Sequence, residues 1–223
     1  MKQIKTKELF HPSGISHIDE FVFSKEYPWE LLPLIKEYVQ SLIEKGIPGY
    51  TKLKEDVLIG QNVKIAETAD ITGPAIIGND VEIRPGCYIR GSLLVGDGCV
   101  LGNSCEFKNA ILMKGCQVPH FSYVGDSILG NYAHMGAGSI CSNLRSDGKP
   151  VIIHGEIDIP TGIRKVGAFL GDHADIGCQS VLNPGTIVGQ NAQVYPLTMT
   201  RGVYPSGSIV KKTDLVVKKE NKE

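Results

Sequence analysis

In this sequence a large apolar residue recurs every six positions, and the next residue is usually glycine or another small one. At four such positions the next residue is basic instead. These four residues are Arg84, Arg90, Lys108 and Lys114. Arg90 and Lys108 stand eighteen positions apart, so in a chain wound in coils of that length they would stack on one edge. A guanidinium and an ammonium held together in this way form a good clamp for a phosphate group.

An ion-pair explanation of these cations is equally open. Glu82, Glu106 and Asp126 lie near them in sequence and carry the opposite charge. Exposed ion pairs of this kind are common and contribute little. The sequence alone therefore leaves two hypotheses, a phosphate clamp and a set of surface ion pairs.

His120 is the strongest candidate for a catalytic base. It lies in the segment VPHFSYVGDS, twelve positions after Lys108 and thirty-six after Arg84. The second spacing equals two full coils if the repeat stays in register, which would bring His120 close to Arg84. A neutral imidazole accepts a proton near pH 7. Taken singly, any histidine of this chain is more typical of a surface position than of a catalyst.

Two apolar positions repeat every six residues around these candidates. The larger residue recurs ten times without a miss, as Ile59, Ile65, Ile71, Ile77, Ile83, Ile89, Val95, Leu101, Phe107 and Met113. A second apolar residue stands two places ahead of each, from Val57 to Ile111. A period of six is typical of a chain wound as a triangular prism, with three short strands and three corners in each coil. Both slots are expected inside the prism, and the register is expected to slip near Pro119.

The six-residue period divides the chain into a prism and three segments that lack the period, namely the N-terminal segment, an inserted loop and the C-terminal segment. Residues 1–52 are expected to form a helical arm or cap, with one helix from Pro28 to Gly46. Residues 53–212 form the predicted prism, interrupted by a loop at 142–165 that is too long for a corner and is expected to project from one edge. Residues 213–223 are expected to be a charged tail.

The composition restricts the class of partner. The net charge is −1 and the sequence pI is about 6.6, so we expect no nucleic-acid partner. No run of eighteen apolar residues is present, so we expect no membrane span. Three of the six cysteines, Cys87, Cys99 and Cys105, occupy the smaller apolar slot and are expected to be core residues, which favours a cytoplasmic location.

The period resembles that of hexapeptide-repeat acyltransferases, and this resemblance implies a mainly β, left-handed parallel β-helix with a small N-terminal helical arm. Residues 90–210 are more specifically similar to the acetyltransferase domain of the bifunctional N-acetylglucosamine-1-phosphate uridylyltransferase/glucosamine-1-phosphate acetyltransferase family. The matching segments are LGNSCEFKNA, PHFSYVGDS and MGAGSICSN. The histidine, tyrosine and Gly-Asp of the second segment are the most specific part of the match.

The resemblance implies a role for each matching residue. His120 corresponds to the catalytic base, and Arg90 and Lys108 correspond to phosphate-binding residues, with Arg84 as a weaker candidate. The remaining substrate contacts implied in this way are Glu106, Tyr123, His134 and Asn143. The coenzyme contacts implied in this way are Cys178 and Arg201. The chain departs from the family where His134 replaces an asparagine, Leu144 a tyrosine and Cys178 a serine.

The implied activity is acetyl transfer from acetyl-CoA to a phosphorylated amino sugar such as glucosamine 1-phosphate, in a homotrimer with active sites between subunits. No uridylyltransferase activity, metal or membrane partner is expected. Two alternatives stay open because the acceptor residues are partly replaced: a different, nucleotide-linked amino sugar, or a non-catalytic assembly module. A zinc site of the hexapeptide-repeat carbonic anhydrase type is disfavoured, because the gaps between His120, His134, His154 and His173 do not match its spacing.

Overall fold

The computed structural model describes residues 4–212 and 214–219, and most of them form a β-solenoid of about nine turns. Successive coils pair in parallel along the chain, as where Val57 lies beside Ala75 and Ala75 beside Leu93. Short strands alternate with corners, which gives the prism three flat faces. The mainly β solenoid with a short N-terminal helical region confirms the fold predicted from the period of six.

Each face of the prism is a stack of parallel strands. The first face, which we call the arm face, contains β2 (Val57–Ile59), β5 (Ala75–Ile77), β8 (Leu93–Val95), β17 (Ala168–Leu170), β20 (Thr186–Val188) and β23 (Val203–Tyr204). The second, the open face, contains β4 (Asp70–Thr72), β7 (Tyr88–Arg90), β14 (Ile140–Cys141), β19 (Val181–Leu182) and β22 (Met199–Thr200). Two longer strands, β10 (Glu106–Leu112) and β12 (Tyr123–Leu129), begin on the open face and end on the arm face.

The third face is a separate sheet. Its parallel strands are β3 (Lys64–Ile65), β6 (Glu82–Ile83), β9 (Val100–Asn103), β11 (Gln117–His120), β13 (His134–Met135), β18 (Asp175–Ile176), β21 (Gln193–Val194) and β24 (Ser208–Lys212). An antiparallel strand closes each end of the solenoid. β1 (Thr51–Lys54) pairs with β2, and β25 (Leu215–Lys218) pairs with β24. Part of the segment expected to be a charged tail is therefore a strand, while residues 213 and 220–223 lie outside the described residues.

The two repeating slots fill the interior of the prism. Large residues from Ile71 to Phe107 and small ones from Ala75 to Cys105, together with Val57, belong to one buried cluster. In the first coil Val63 and Ala69 are only partly buried and Ile65 is exposed, so the slots are less enclosed there than predicted. Cys87, Cys99 and Cys105 are free thiols and almost completely buried, as their slot predicted. Burial raises the pKa of the Cys87 thiol to about 12, so this side chain behaves as a small apolar residue.

The prediction for the tenth repeat, Ile111 and Met113, was wrong. Ala110 and Leu112 point into the prism, whereas Ile111 and Met113 belong to a second cluster outside it. The cause is a short corner at Lys108-Asn109, which makes the spacing between neighbouring coils one residue shorter. The register therefore changes about ten residues before Pro119, where the sequence had suggested a slip.

The arm consists of α1 (Thr6–Leu9), α2 (Ser16–Val22), a 3-10 helix (Pro28–Leu34) and α3 (Ile35–Lys45). The single helix predicted from Pro28 to Gly46 is thus divided. Pro33 cannot donate a backbone hydrogen bond, and the α-helix begins only after it. The prediction that the helix ends at Gly46 is confirmed, because the amide of Gly46 donates to the carbonyl of Leu42.

The arm covers a side of the prism. The outward residues of the arm face are apolar and almost completely buried: Leu58, Ile76, Leu94, Ile111, Ile128, Phe169 and Ile187. Trp29 packs against Phe169 with ring centroids 6.2 Å apart. Asp172 anchors the start of the arm by accepting hydrogen bonds from the backbone N (2.8 Å) and Nδ1 (2.9 Å) of His11.

The inserted loop folds back against its own solenoid. It contains an antiparallel hairpin, β15 (Ile152–Ile153) and β16 (Ile159–Pro160), and Val151 and Ile153 are buried beside the corner at Gly185. The loop lies at the same edge of the prism as the short corners of the two preceding coils. It lengthens its own coil, so that β14 pairs with β19, which lies much further along the chain than one ordinary coil. It was expected to project from an edge, and its apolar residues explain why it packs instead. None of the described helices is long and apolar enough to cross a membrane.

Candidate active site

The open face carries most of the residues that the sequence singled out. One outward column contains Tyr88, Glu106, Tyr123, Ile140, Val181 and Met199, which are neighbours in consecutive strands. Arg90 and Lys108 belong to a second column, two residues further along their strands, in which Thr72 precedes Arg90 and Gly125 follows Lys108. The described part of the arm does not cover these columns, and Tyr88, Ile140 and Met199 are exposed.

A buried carboxylate joins several of these residues at the corner between the open face and the arm face. Asp126 is only 3% exposed. Both of its oxygens lie 3.2 Å from the Nζ atom of Lys108. Asp126 also accepts hydrogen bonds from Nδ2 of Asn109 (2.8 Å) and Nδ2 of Asn143 (2.5 Å). Because Lys108 and Asn143 share this partner, the structure brings two predicted substrate contacts together.

Arg90 has a carboxylate partner of its own. Its Nη1 atom lies 2.6 Å from Oε1 of Glu106 in the next coil. Both cations of the predicted clamp are therefore paired with acidic residues, as the ion-pair hypothesis expected. The pairs lie side by side on the open face, so the clamp residues are adjacent as well.

The side chain of Tyr123 extends across the open face to the same corner. Its hydroxyl oxygen accepts a hydrogen bond from Nδ2 of Asn143 at 3.1 Å. Burial and the neighbouring Asp126 raise the pKa of Tyr123, so the phenol keeps its proton and can donate it in a hydrogen bond. Gly125 makes room for this contact, because a Cβ there would overlap the hydroxyl oxygen of Tyr123.

His120 lies at the opposite edge of the open face, where β11 ends. The side chain is exposed, and its ring makes no hydrogen bond to the described residues. The exposed ring of Phe121 lies beside it, with centroids 6.4 Å apart. His120 pairs with Asn103 of the preceding coil, whose side chain donates to the carbonyl of Pro85.

Cys178, a predicted coenzyme contact, and the Gly-Ala-Gly turn at residues 136–138 follow His120 along the same edge. The amide of Gly138 donates to the carbonyl of His120, and that of Gln179 donates to the carbonyl of Ala137. Cys178 is thus two coils from His120, roughly 10 Å along the edge, and its thiol is exposed. Within the Gly-Ala-Gly turn the amides of Gly136 and Gly138 bond to neighbouring coils, whereas that of Ala137 has no partner among the described residues.

Two predicted substrate contacts lie elsewhere. Arg84 is on the third face, where its Nε atom lies 3.0 Å from Oε1 of Glu82. The expected stacking of Arg84 with His120 was wrong, because one of the two coils is a residue short and His120 follows the column of Pro85 and Asn103. His134 is also on the third face, with Nδ1 2.8 Å from Asp175.

Arg201 lines an open cleft of about 550 Å³ between the inserted loop and the last coils of the open face. Its Nη2 atom lies 2.9 Å from Nε2 of His154, whose Nδ1 lies 3.0 Å from Asp158. Arg145, Asn183 and Met199 also line this cleft. Arg201 is three coils from the corner of Asp126, and Cys178 is on the other edge of the face. The sequence analysis assigned Arg201 and Cys178 to the coenzyme, and the structure places them at opposite edges of the open face.

The sequence analysis gave no role to two residues at the centre of the site. Both lie in segments that matched the family, but Asp126 was considered only as a surface partner for a cation, and Asn109 was given no role. Both have positive φ angles, 48° for Asp126 and 49° for Asn109, at equivalent corners of neighbouring coils. Asn and Asp tolerate this conformation better than most residues. An Asn and an Asp seventeen positions apart were the available signal, but it could be recognised only with the correct coil length.

Comparison with known proteins identifies the family. The chain is 32% identical over 207 residues to an uncharacterized acetyltransferase, YaiX, of Escherichia coli strain 536, covering 84% of this chain and 88% of that protein. The chain belongs to the hexapeptide-repeat acyltransferases. This confirms the resemblance from the repeat, including its left-handed β-helix, and disfavours the non-catalytic module.

Other members of this acyltransferase family match more locally. The chain is 37% identical over 117 residues to the bifunctional protein GlmU of Methanococcus vannielii, and 40% identical over 92 residues to a bifunctional sugar-1-phosphate nucleotidylyltransferase/acetyltransferase of Sulfurisphaera tokodaii. These matches cover 52% and 41% of this chain. They span only 28% and 23% of the two archaeal proteins. A family model described as the GMPPB C-terminal domain matches residues 71–163.

Among solved structures, the chain aligns with a serine-to-cysteine mutant of AntD, an N-acyltransferase from Bacillus cereus. The alignment has 20% sequence identity and a TM-score of 0.44, and it covers 79% of this chain and 93% of that one.

Proposed function

We propose that this acyltransferase is an acetyl-CoA-dependent N-acetyltransferase that acts on a phosphorylated amino sugar resembling glucosamine 1-phosphate. The observation that carries the proposal is the exposed imidazole of His120, which makes no hydrogen bond to the described residues and borders the polar open face. A general base must be accessible to the substrate, and this side chain is.

In the proposed reaction the sugar nitrogen forms a bond to the thioester carbonyl carbon, and the carbon–sulfur bond breaks. His120 accepts the proton that the nitrogen loses and returns it to the leaving thiolate of CoA. The tetrahedral intermediate carries an oxyanion, which needs hydrogen-bond donors. The amide of Ala137, one coil from His120 and without a partner among the described residues, is suited to this role.

The site is proposed to be shared between subunits of a homotrimer. His120 and the corner of Asp126 lie at opposite edges of the open face, roughly 10 Å or more apart, which is too far for one sugar ring to contact both. Tyr88, Phe121, Ile140, Leu197 and Met199 are exposed on or beside this face, as at protein–protein interfaces. In the proposed trimer a neighbour covers this surface, and the His120 edge of that neighbour faces the corner.

The phosphate of the acceptor is proposed to bind beside Arg90 and Lys108. These cations already have carboxylate partners, and an incoming phosphate dianion must share or displace them. This pairing favours a second candidate, a nucleotide-linked amino sugar with its phosphates elsewhere. Arg201 is a suitable anion partner for it, because its guanidinium is hydrogen-bonded to His154, while the carboxylate of the cleft, Asp147, is paired with Arg145.

The experiment is a thiol-release assay with acetyl-CoA and a panel of amino sugars, each free, 1-phosphorylated or nucleotide-linked. The proposal predicts the highest kcat/KM for a 1-phosphorylated amino sugar. A preference for a nucleotide-linked sugar would select the second candidate. Absence of thiol release with every amino sugar, from a protein that sediments as a trimer, would contradict N-acetylation itself.

A further inference from the structure

The hydrogen bonds around Asp126 determine the orientation of Asn143. An ionised carboxylate only accepts hydrogen bonds, so a side-chain amide beside it must present its NH2 group. Nδ2 of Asn143 lies 2.5 Å from Asp126 and 3.1 Å from the hydroxyl oxygen of Tyr123. Both contacts use the nitrogen. The oxygen of the Asn143 side chain therefore faces away from Asp126, and it has no partner among the described residues.

The same carboxylate restrains the ammonium of Lys108. Both oxygens of Asp126 are at 3.2 Å from Nζ, and the Lys108 side chain is 28% exposed. A lysine side chain otherwise has many rotamers, and fixing it costs entropy. The restraint therefore lowers the conformational entropy that the Lys108 side chain would lose when an acceptor binds to it.

Asp126 is itself held on several sides. Nδ2 of Asn109 donates both to Asp126 and to the carbonyl of Leu32 in the arm, at 2.8 and 3.2 Å. The amide of Gly167, where the inserted loop rejoins the solenoid, donates to the carbonyl of Asp126 at 2.7 Å. The arm and the loop thus fix this corner from both sides.

We infer that Asp126 is a positioning residue of the acceptor site: it turns the Asn143 amide so that its oxygen accepts an N–H of the acceptor amine, and it holds Lys108 beside the acceptor. The inference rests on the proposed N-acetylation. An acceptor amine that donates to the Asn143 oxygen directs its lone pair elsewhere, towards the thioester. Tyr123 keeps its own O–H to donate to the acceptor.

The first test replaces Asp126 by Asn, which keeps the size and removes the charge. Asp126→Asn is expected to raise the acceptor KM and to lower kcat, each about tenfold, with the KM for acetyl-CoA within about twofold of the native value. The matched control is Asp172→Asn, which removes another buried carboxylate, the one that anchors the arm. It is expected to lower the melting temperature while both KM values stay within about twofold. Equal effects of Asp126→Asn on the two KM values would overturn the inference.

The second test is independent of turnover, and its decisive comparison, between Asn143→Asp and the native protein, does not use Asp126→Asn. In Asn143→Asp a carboxylate replaces the amide, so two carboxylates face each other at hydrogen-bond distance, with Lys108 and Tyr123 as the other titratable neighbours. One of the two must hold a proton, and its pKa rises. The folded state then binds more protons than the unfolded state, so stability is lost as the pH rises through that pKa.

The melting temperature of Asn143→Asp is therefore expected to fall between about pH 5 and pH 8 relative to the native protein, and Asp126→Asn/Asn143→Asp is expected to abolish that fall. A parallel pH dependence for Asn143→Asp and the native protein would show that the Asn143 amide does not face Asp126, and would overturn the inference. If the fall is seen but the native protein acetylates no amino sugar, the proposed function fails while the orientation of Asn143 stands.

Discussion

The arm face and the open face are built from the same coils, and they differ only in their outward residues. In β12, Tyr123 and Ile128 both point outwards, but Tyr123 lies on the open face and Ile128 under the arm. Every outward residue of the arm face is apolar, whereas the open face mixes charged residues, aromatic residues and a few exposed aliphatics. The inward slots make the solenoid, and the outward residues decide whether a face is covered by the chain itself or is available for a substrate and a neighbour.

The first prediction concerns the edge of the open face and has the largest effect. His120→Ala is expected to lower kcat by about 10²- to 10⁴-fold because the proposed base is lost, without changing assembly. The control is His134→Ala on the third face, where the imidazole is bound to Asp175. It should change kcat less than about threefold in the same thiol-release assay. A His120→Ala enzyme with native kcat would remove the proposed base.

The second prediction compares truncations on the two faces. Phe169→Ala under the arm is expected to lower the free energy of unfolding by about 3–5 kcal/mol, because Phe169 is completely buried. Tyr88→Ala on the open face is expected to cost less than about 1 kcal/mol in a single chain, because Tyr88 is 41% exposed. Urea unfolding measures both. Equal losses would show that the open face is as well packed as the arm face.

The third prediction compares the effect on KM of removing a cation from the open face with that of removing one from the third face. Lys108→Ala and Arg90→Ala are each expected to raise the KM of a phosphorylated amino sugar about tenfold, with little change in the KM of acetyl-CoA. Arg84→Ala should have a smaller effect, since Arg84 pairs with Glu82 on another face. If the KM of the unphosphorylated sugar rises equally, no phosphate binds beside these residues.

The smallest effect is expected from a pair outside both faces. The hydrogen bond from His134 and its charge lower the pKa of Asp175 below its usual range. The unfolded state then binds protons more readily, so the stabilisation is present above about pH 4 and is lost as the pH falls below it. Because Asp175 is half exposed, the difference between native protein and His134→Ala in acid unfolding should stay below about 1 kcal/mol. A larger difference would mean that the third face also holds buried ionic interactions.

The sequence predicted the inward slots well because they depend on one property, the alternation of large and small apolar residues. It failed where that property became ambiguous. Residues 110–113 read Ala-Ile-Leu-Met, so either pair could fill the interior. Ile111 and Met113 are outside because the arm gives them an apolar environment there. The short corner left no mark in the six-residue pattern, because the outward residues Ile111 and Met113 keep the same apolar spacing.

The candidate site was predicted in part for the same reason. Arg90 and Lys108 were placed together because the full-length coil still holds between them, and their carboxylate partners were named as an alternative. The stacking of Arg84 with His120 failed because it assumed two full coils. The role of Asp126 depends on which side chains the shortened coil brings to it, and neither its burial nor its three donors can be read from residue types.

The central claim, a site formed by the His120 edge of one subunit and the Asp126 corner of another, is tested most directly by mixing two inactive chains. One carries His120→Ala, and the other carries Lys108→Ala/Asn143→Ala. Each protein alone should release little thiol from acetyl-CoA. In trimers reassembled from equal amounts, about a quarter of the sites would combine an intact His120 with an intact corner, so about a quarter of the native activity should return. A mixture that forms hybrid trimers but stays as inactive as its components would contradict the shared site.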